Sequence, residues 1–236
     1  AWTRSGGIAV AHERAHEGDD FTYDLFIHDL EGHVRERWTG LHLRGVGKTA
    51  LPACWPSALL SAYLERRLAE LIPLAQIAVQ ISNCACDKDS TTLAHRPDGK
   101  PVDPQNSDVH LSRSHCAGLT LAVRSRQPVG CDMEQIVTRG EDAWGRLVGP
   151  QWLAFASTLA QRTRTSLDAA ATHAWTLKEA LRKSGAGSDQ PLQFESHTND
   201  GWSVSSSGHF RAAIFKTRIK GLEHELAFCF VGKKQP

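Results

Sequence analysis

The chain is poor in several features, and each shortage narrows what it can be. No apolar run approaches the ~20 residues needed to cross a bilayer, and no basic-then-apolar segment opens the sequence, so neither a spanning helix nor a secretory signal is predicted. Charge of one sign is lacking too. Lys and Arg number 27 against 26 Asp and Glu, a formal net charge of +1, so no overall field points to nucleic acid or an anionic membrane. Any charged partner must be met by a local patch. Cysteines at 54, 84, 86, 116, 131 and 229 form no CxxC unit, which gives no indication of a zinc ribbon or a dense disulfide framework. They read as thiols, mostly buried, of a soluble cytoplasmic protein. The first residue is Ala1 rather than Met, consistent with processing or with a piece of a longer polypeptide.

What is present is enough chain for one large domain or two lobes, each with its own core. Phe21 to Leu43 alternates apolar and polar residues around a Gly-containing turn at Asp29 to His33, which predicts a β-hairpin. From Trp55 to Ile72, Leu59, Leu60, Tyr63, Leu64, Leu68 and Leu71 recur at helical spacing; Pro56 suits the first turn and Pro73 stops the helix. Ile77 to Ser82 reads as a strand. Asn83 to Asn106, with Pro97, Gly99, Pro101 and Pro104, reads as a long connection. The second half predicts a strand, a turn at Gly118, a strand over Leu119 to Arg124, a Gln127-Pro128 turn and a strand ending near Cys131. Helices over Gly149 to Leu159 and Ser166 to Ser184 follow, the latter stopped by SGAGS, and then strands in WSVSS, HFRAAIF and ELAFCFV. The class is α+β.

One glycine motif is a decoy. RGVGKT, Arg44 to Thr49, ends like a phosphate-binding loop, but the glycine required five residues before Gly47-Lys48-Thr49 is replaced by His42.

The stretches that can carry chemistry are acidic. In VGCDMEQ, Val129 to Gln135, residues two apart in an extended segment point the same way, so Asp132 and Glu134 share one face and Cys131 and Met133 the other. Two carboxylates so placed either lie on a solvated strand end or hold a hard divalent ion such as Mg²⁺. In AWTLKEALRK, Ala174 to Lys183, Glu179 and Lys183 sit one helical turn apart. They form either a surface i,i+4 pair or part of a site.

The ordered set PDGKP, SHC, GCDME and WTLKEALRK resembles the Sfp-type 4′-phosphopantetheinyl transferases over roughly Pro97 to Lys183, with Glu179 45 positions after Glu134. The resemblance implies two similar α+β lobes related by a pseudo-twofold axis, residues 1–106 and 107–236, with coenzyme A in the cleft between them. It implies Asp132 and Glu134 as Mg²⁺ ligands and Glu179 as third ligand and general base. By the same match, Lys183 and Lys178 contact the substrate, Ser114 and His115 the phosphates, and Lys100 the nucleotide end. The activity implied moves the phosphopantetheine arm of coenzyme A to a serine of an apo acyl carrier protein and releases adenosine 3′,5′-bisphosphate. No nucleic acid or membrane partner is implied.

The first lobe departs from the family: Ser57 and Ala58 stand where basic residues usually grip the coenzyme's 3′-phosphate, and Arg66 and Arg67 come later. His95 and Arg96 could compensate. YDLFIHDLEGHVRERWTGLHLRGV looks like the closing strands of the dehydratase region that precedes the terminal transferase domain of enediyne-type iterative polyketide synthases, which suggests a carrier in the same polypeptide. An acidic carrier would meet basic groups, with Arg124, Arg126, Arg139, Arg162, Arg164 and Arg182 as candidates. Two competing readings are a non-catalytic docking domain of the same fold and a nucleotide switch built on GVGKT; the latter fails on the missing glycine.

Overall fold

The computed structural model describes residues 8–29, 31–45, 54–72, 77–83, 94–95, 101–102, 108–186 and 191–233. The chain forms two compact units, Ala1–Leu51 and Pro52–Pro236. The first is an antiparallel meander of β1 (Ile8–Glu17), β2 (Asp20–His28) and β3 (Val34–Arg44), in that order. The predicted hairpin is β2 and β3. Its turn is held by Asp29, whose Oδ1 accepts the His33 N–H at 2.8 Å, and by Gly32 at φ +88°, a conformation open to glycine. Strand β1 is an element that sequence reading missed. None of the described residues of this unit is buried.

The described residues of the second unit form two five-stranded sheets and four helices, so the α+β class stands. The first sheet has the order β4-β8-β7-β6-β5, from β4 (Ala78–Asn83), β5 (Ala94–His95), β6 (Pro101–Val102), β7 (His110–Cys116) and β8 (Leu119–Ser125). The second has the order β10-β11-β12-β13-β9, from β9 (Val129–Gln135), β10 (Leu192–His197), β11 (Ser203–Ser207), β12 (Phe210–Arg218) and β13 (Glu225–Lys233). Of the helices, α1 (Ser57–Leu71) precedes β4, while α2 (Glu141–Val148), α3 (Pro150–Thr163) and α4 (Leu167–Ser184) lie between β9 and β10. The expected division at 106/107 runs through the first sheet, because β4 pairs antiparallel with β8 along its whole length. None of the described helices is long and apolar enough to cross a membrane.

Two cores form on opposite faces of the second sheet. On β13, Leu226, Phe228 and Phe230 pack with α1, β4 and β8, while Cys229 and Val231 pack with α2, α3 and α4. This is the period-2 alternation of a strand buried on both sides. Helix α1 forms because Leu60, Leu64 and Leu68 repeat every four residues and all three become fully buried, each contributing about 1.5–3 kcal/mol. Its polar residues have work as well: Glu65 and Ser61 accept the N–H groups of Val79 and Ile81 at 3.0 Å, so α1 caps the open edge of β4. Arg67 forms ion pairs with Glu70 and with Asp200 at 2.9 Å, in the turn before β11, so it serves as a structural tie. Arg66 is more exposed and lies 3.7 Å from Glu70.

Helix α4 begins at the Ser166 cap, which accepts the Ala169 N–H, and ends at Gly185 with φ +86°, as its flanking residues predict. A run of buried alanines (169, 170, 171, 174 and 180) lets it lie close to the sheet. The approach is closest at Gly130 of β9, where an added Cβ would sit 1.9 Å from the Ala180 carbonyl oxygen. Glycine is therefore required by space. Replacing Gly130 by Ala is expected to lower stability by about 3 kcal/mol or more, read as the urea midpoint; an unchanged midpoint would show that the helix has room to yield.

The same interface buries His173, with no hydrogen-bond partner at Nε2 among the described residues. Burial first, then the Lys216 and His197 charges, push its pKa down to about 3. A neutral imidazole inside and an ordinary one outside make stability complete above the unfolded value near 6.5, and it is lost as pH falls toward 3, by up to about 1.4 kcal/mol per pH unit. His173→Leu should therefore gain on wild type in urea denaturation as pH drops from 7 to 4. A pH-independent difference would contradict the assignment.

Candidate functional site

The predicted DxE pair lies inside a strand, not at a solvated end. β9 runs on to Gln135, four residues past its expected stop, because β13 pairs with it along that length, setting Asp132 opposite Cys229 and Glu134 opposite Ala227. Both acids therefore face α4, while Cys131 and Met133 face the other core. The outer edge of β9 is joined to β7 by side chains instead of a backbone ladder. Ser112 Oγ accepts the Cys131 N–H at 2.9 Å, and Ser114 Oγ accepts the Met133 N–H at 3.2 Å. Ser114 also donates to Asp132 Oδ1 at 2.8 Å.

Helix α4 brings the remaining charges. Lys183 Nζ donates to the same Asp132 Oδ1 at 2.6 Å and to the Cys131 carbonyl at 3.1 Å. It is thus paired across the helix-strand contact and not with Glu179. Glu179, at 22% side-chain exposure, accepts from Arg182 Nε at 3.1 Å and Nη2 at 2.9 Å. That i,i+3 pair is open to solvent on the arginine side and is worth at most about 1 kcal/mol, so it does not lock the carboxylate. Trp175 lies a turn earlier on α4, and Cys116 Sγ on β7 lies 4.0 Å from Glu134 Oε2.

Electrostatics mark this as a costly place for charge. Asp132 is 4% exposed, and desolvation raises its pKa above the usual carboxylate range; Lys183 and Ser114 oppose the rise, and Glu179 adds to it. Desolvation wins over the ion pair here. Glu134 is raised as well, by burial and then by Asp132, with Trp175, Lys183 and Arg139 pulling the other way. Burial, Glu134 and Asp132 together raise the Cys116 thiol. Asp132 thus senses Glu179, and Glu134 senses Asp132, while Lys183 is the cation that α4 brings to β9.

The other predicted residues divide. His115 is exposed at the end of β7, beside the turn at Ala117 and Gly118. Lys178 is engaged elsewhere: its Nζ donates to the Val148 carbonyl at 3.2 Å and lies 5.9 Å from the Trp175 ring centroid. Lys100, Arg96 and most of the GVGKT turn lie outside the described residues, as do Cys84 and Cys86. Of the remaining cysteines, Cys131 and Cys229 are buried, Cys116 is half-buried and Cys54 is exposed. Sequence reading missed Trp175, Ser112 and Gly130. Only the glycine left a signal there, since a strand-interior Gly marks a close backbone approach.

Two observations bear on a metal. Among the described residues, the group with three ligand atoms within 4.8 Å of one another is Asp29, Glu31 and His33 in the β2–β3 turn, where Arg35 Nε already lies 2.7 Å from Asp29 Oδ2. Asp132, Glu134 and Glu179 are not drawn that close as a set. Their chemistry still fits a hard divalent ion: all donors are carboxylate oxygens, and Asp132 Oδ2 is buried with no hydrogen-bond partner among the described residues. No protein-family model matches the chain, and no curated protein matches it.

A buried acid with a raised pKa destabilises the fold when it is ionised. Its stabilising protonated form is complete below the ordinary value near 3.8 and is lost as pH rises through the higher folded value. Asp132→Asn keeps an Oδ1 acceptor without the charge. The variant should raise the thermal midpoint at pH 7 in chelator-containing buffer, with the gain shrinking as pH falls through the raised folded value and gone once pH is below the ordinary value near 3.8. A lower midpoint at pH 7 would mean that the Lys183 pair outweighs desolvation.

Proposed function

We propose that the Pro52–Pro236 unit is a Mg²⁺-dependent 4′-phosphopantetheinyl transferase that charges an acyl carrier protein. One observation supports this reading: α4 sets the Lys183 ammonium on the buried Asp132 of β9, the two elements that also carry Glu179 and Glu134, and one oxygen of Asp132 is buried with no partner among the described residues. A structural ion pair would need one acid. Placing further acids on the two elements that carry this pair adds desolvation and like-charge repulsion, which is tolerable where a site requires it.

In this reading coenzyme A lies beside the α4 face of β9 that carries Asp132 and Glu134, and not in the hydrophobic core that the two five-stranded sheets share. Asp132, Glu134 and Glu179 would hold the ion, which when bound would neutralise charge on the coenzyme's pyrophosphate. Lys183 would contribute a fixed ammonium to the same phosphates. Glu179 takes the proton from the carrier's serine hydroxyl as its oxygen bonds to the phosphorus on the pantetheine side. The bond from that phosphorus to the adenosine bisphosphate oxygen breaks, and adenosine 3′,5′-bisphosphate leaves. What supports this role is that Glu179 is on a helix, part-exposed, and restrained by the solvent-exposed Arg182. Such positioning of a base is worth about 10²–10⁴-fold. The six candidate docking arginines, 124, 126, 139, 162, 164 and 182, are all exposed, available to an acidic carrier.

The test is incubation with Mg²⁺, coenzyme A and an apo acyl carrier domain, followed by intact mass of the carrier. The carrier should gain one phosphopantetheine, and Glu179→Gln and Asp132→Asn should each slow the gain at least ~100-fold. Coenzyme A binding without any mass gain across several carriers would replace the transferase reading with a docking domain.

A further inference from the structure

Resting on the transferase reading above, we propose that Ser114 is a positioning residue for the Asp132 carboxylate and not a contact to the substrate's phosphate, the role that its place in the SHC stretch implies. The reasoning is a count of protons. A serine hydroxyl has one hydrogen to donate and lone pairs to accept. Ser114 is 6% exposed; its oxygen accepts the Met133 N–H at 3.2 Å, and its one proton goes to Asp132 Oδ1 at 2.8 Å. A phosphate oxygen offers only lone pairs, so Ser114 could bond it only by withdrawing its proton from Asp132, leaving a buried carboxylate with one donor fewer.

The consequence lies in which oxygen of Asp132 stays open. Ser114 and Lys183 both donate to Oδ1, from opposite elements, and Oδ2 is left buried without a partner among the described residues. Two donors on one oxygen fix the plane of the carboxylate and reserve the other oxygen for a cation. His115, the next residue on β7, is exposed and carries whatever phosphate contact the stretch makes. Ser112 supplies an internal control. It sits two residues earlier on the same strand and accepts the N–H of Cys131 at 2.9 Å, the same join to β9 without a bond to the carboxylate.

The experiment uses two readouts on the full chain. Tb³⁺ binding is followed by luminescence sensitised through Trp175, one helical turn before Glu179 on α4; turnover is followed as Mg²⁺ half-saturation and as KM for coenzyme A. In Ser114→Ala, the Tb³⁺ and Mg²⁺ half-saturation concentrations should each rise about 10-fold, with KM for coenzyme A within about twofold of wild type. Ser114→Thr, which keeps the hydroxyl, should restore ion binding. Ser112→Ala should lower the unfolding midpoint as Ser114→Ala does and leave ion half-saturation unchanged. A rise in KM for coenzyme A with unaltered ion binding would overturn the assignment in favour of a phosphate contact, and equal ion defects in both alanine variants would reduce Ser114 to a structural tie. The Tb³⁺ titration needs no turnover. A wild-type chain that binds Tb³⁺ with the predicted serine dependence but transfers nothing would contradict the transferase reading alone.

Discussion

The contact between α4 and β9 is the constraint on which the site depends. At Gly130 the helix backbone comes so near the strand that no side chain fits, and two residues further along β9 this nearness puts the Lys183 ammonium on Asp132. The Asp132 charge would be costly alone at that depth, because an unpaired buried carboxylate costs several kcal/mol, whereas Lys183 keeps 22% of its side chain exposed to solvent. Together they let a strand with an acid in the middle of its buried run remain a strand. What the pair does not neutralise is the second oxygen of Asp132 and the neighbouring acids Glu134 and Glu179. That residue of uncompensated negative charge gives the site its character.

A second theme runs through the unit: open strand edges are closed by side chains. Glu65 and Ser61 of α1 accept the N–H groups of β4, and Ser112 and Ser114 of β7 accept those of β9. Buried N–H groups must find acceptors, and at these two edges hydroxyls and a carboxylate supply what a backbone ladder does not. Such joins are specific in register, and at Ser114 the join and the orientation of the site carboxylate are made by one atom. Fold and site are coupled there through a single hydroxyl.

Much of this was legible from residue order. The leucine repeat of α1, the Ser166 and Gly185 boundaries of α4, the hairpin around Asp29 to His33 and the strands flanking Gly118 follow from local periodicity and turn chemistry, which need no tertiary knowledge. The missed elements are those whose local signal is weak. α2 is eight residues with Gly145 inside it, and β10 places Glu195 and Ser196 where apolar residues would announce a strand. β9 was cut short because buried acids read as a strand leaving the core, and only the Lys183 ammonium from α4 makes them tolerable. The spacing of Glu179 and Lys183 allowed a pair between them; the structure instead gives Glu179 to Arg182 and Lys183 to Asp132, since which neighbour wins is decided by what the helix packs against. Helix phase was readable for Lys178, which lies on a different side of α4 from Glu179.

The central claim is that the acids at 132, 134 and 179 share one divalent ion. The most direct measurement is anomalous diffraction from crystals grown with Mn²⁺ and coenzyme A. The account expects one strong peak bounded by those three carboxylates and touching the coenzyme's pyrophosphate. Full coenzyme density with Lys183 still on Asp132 and no anomalous peak among the three acids would contradict it.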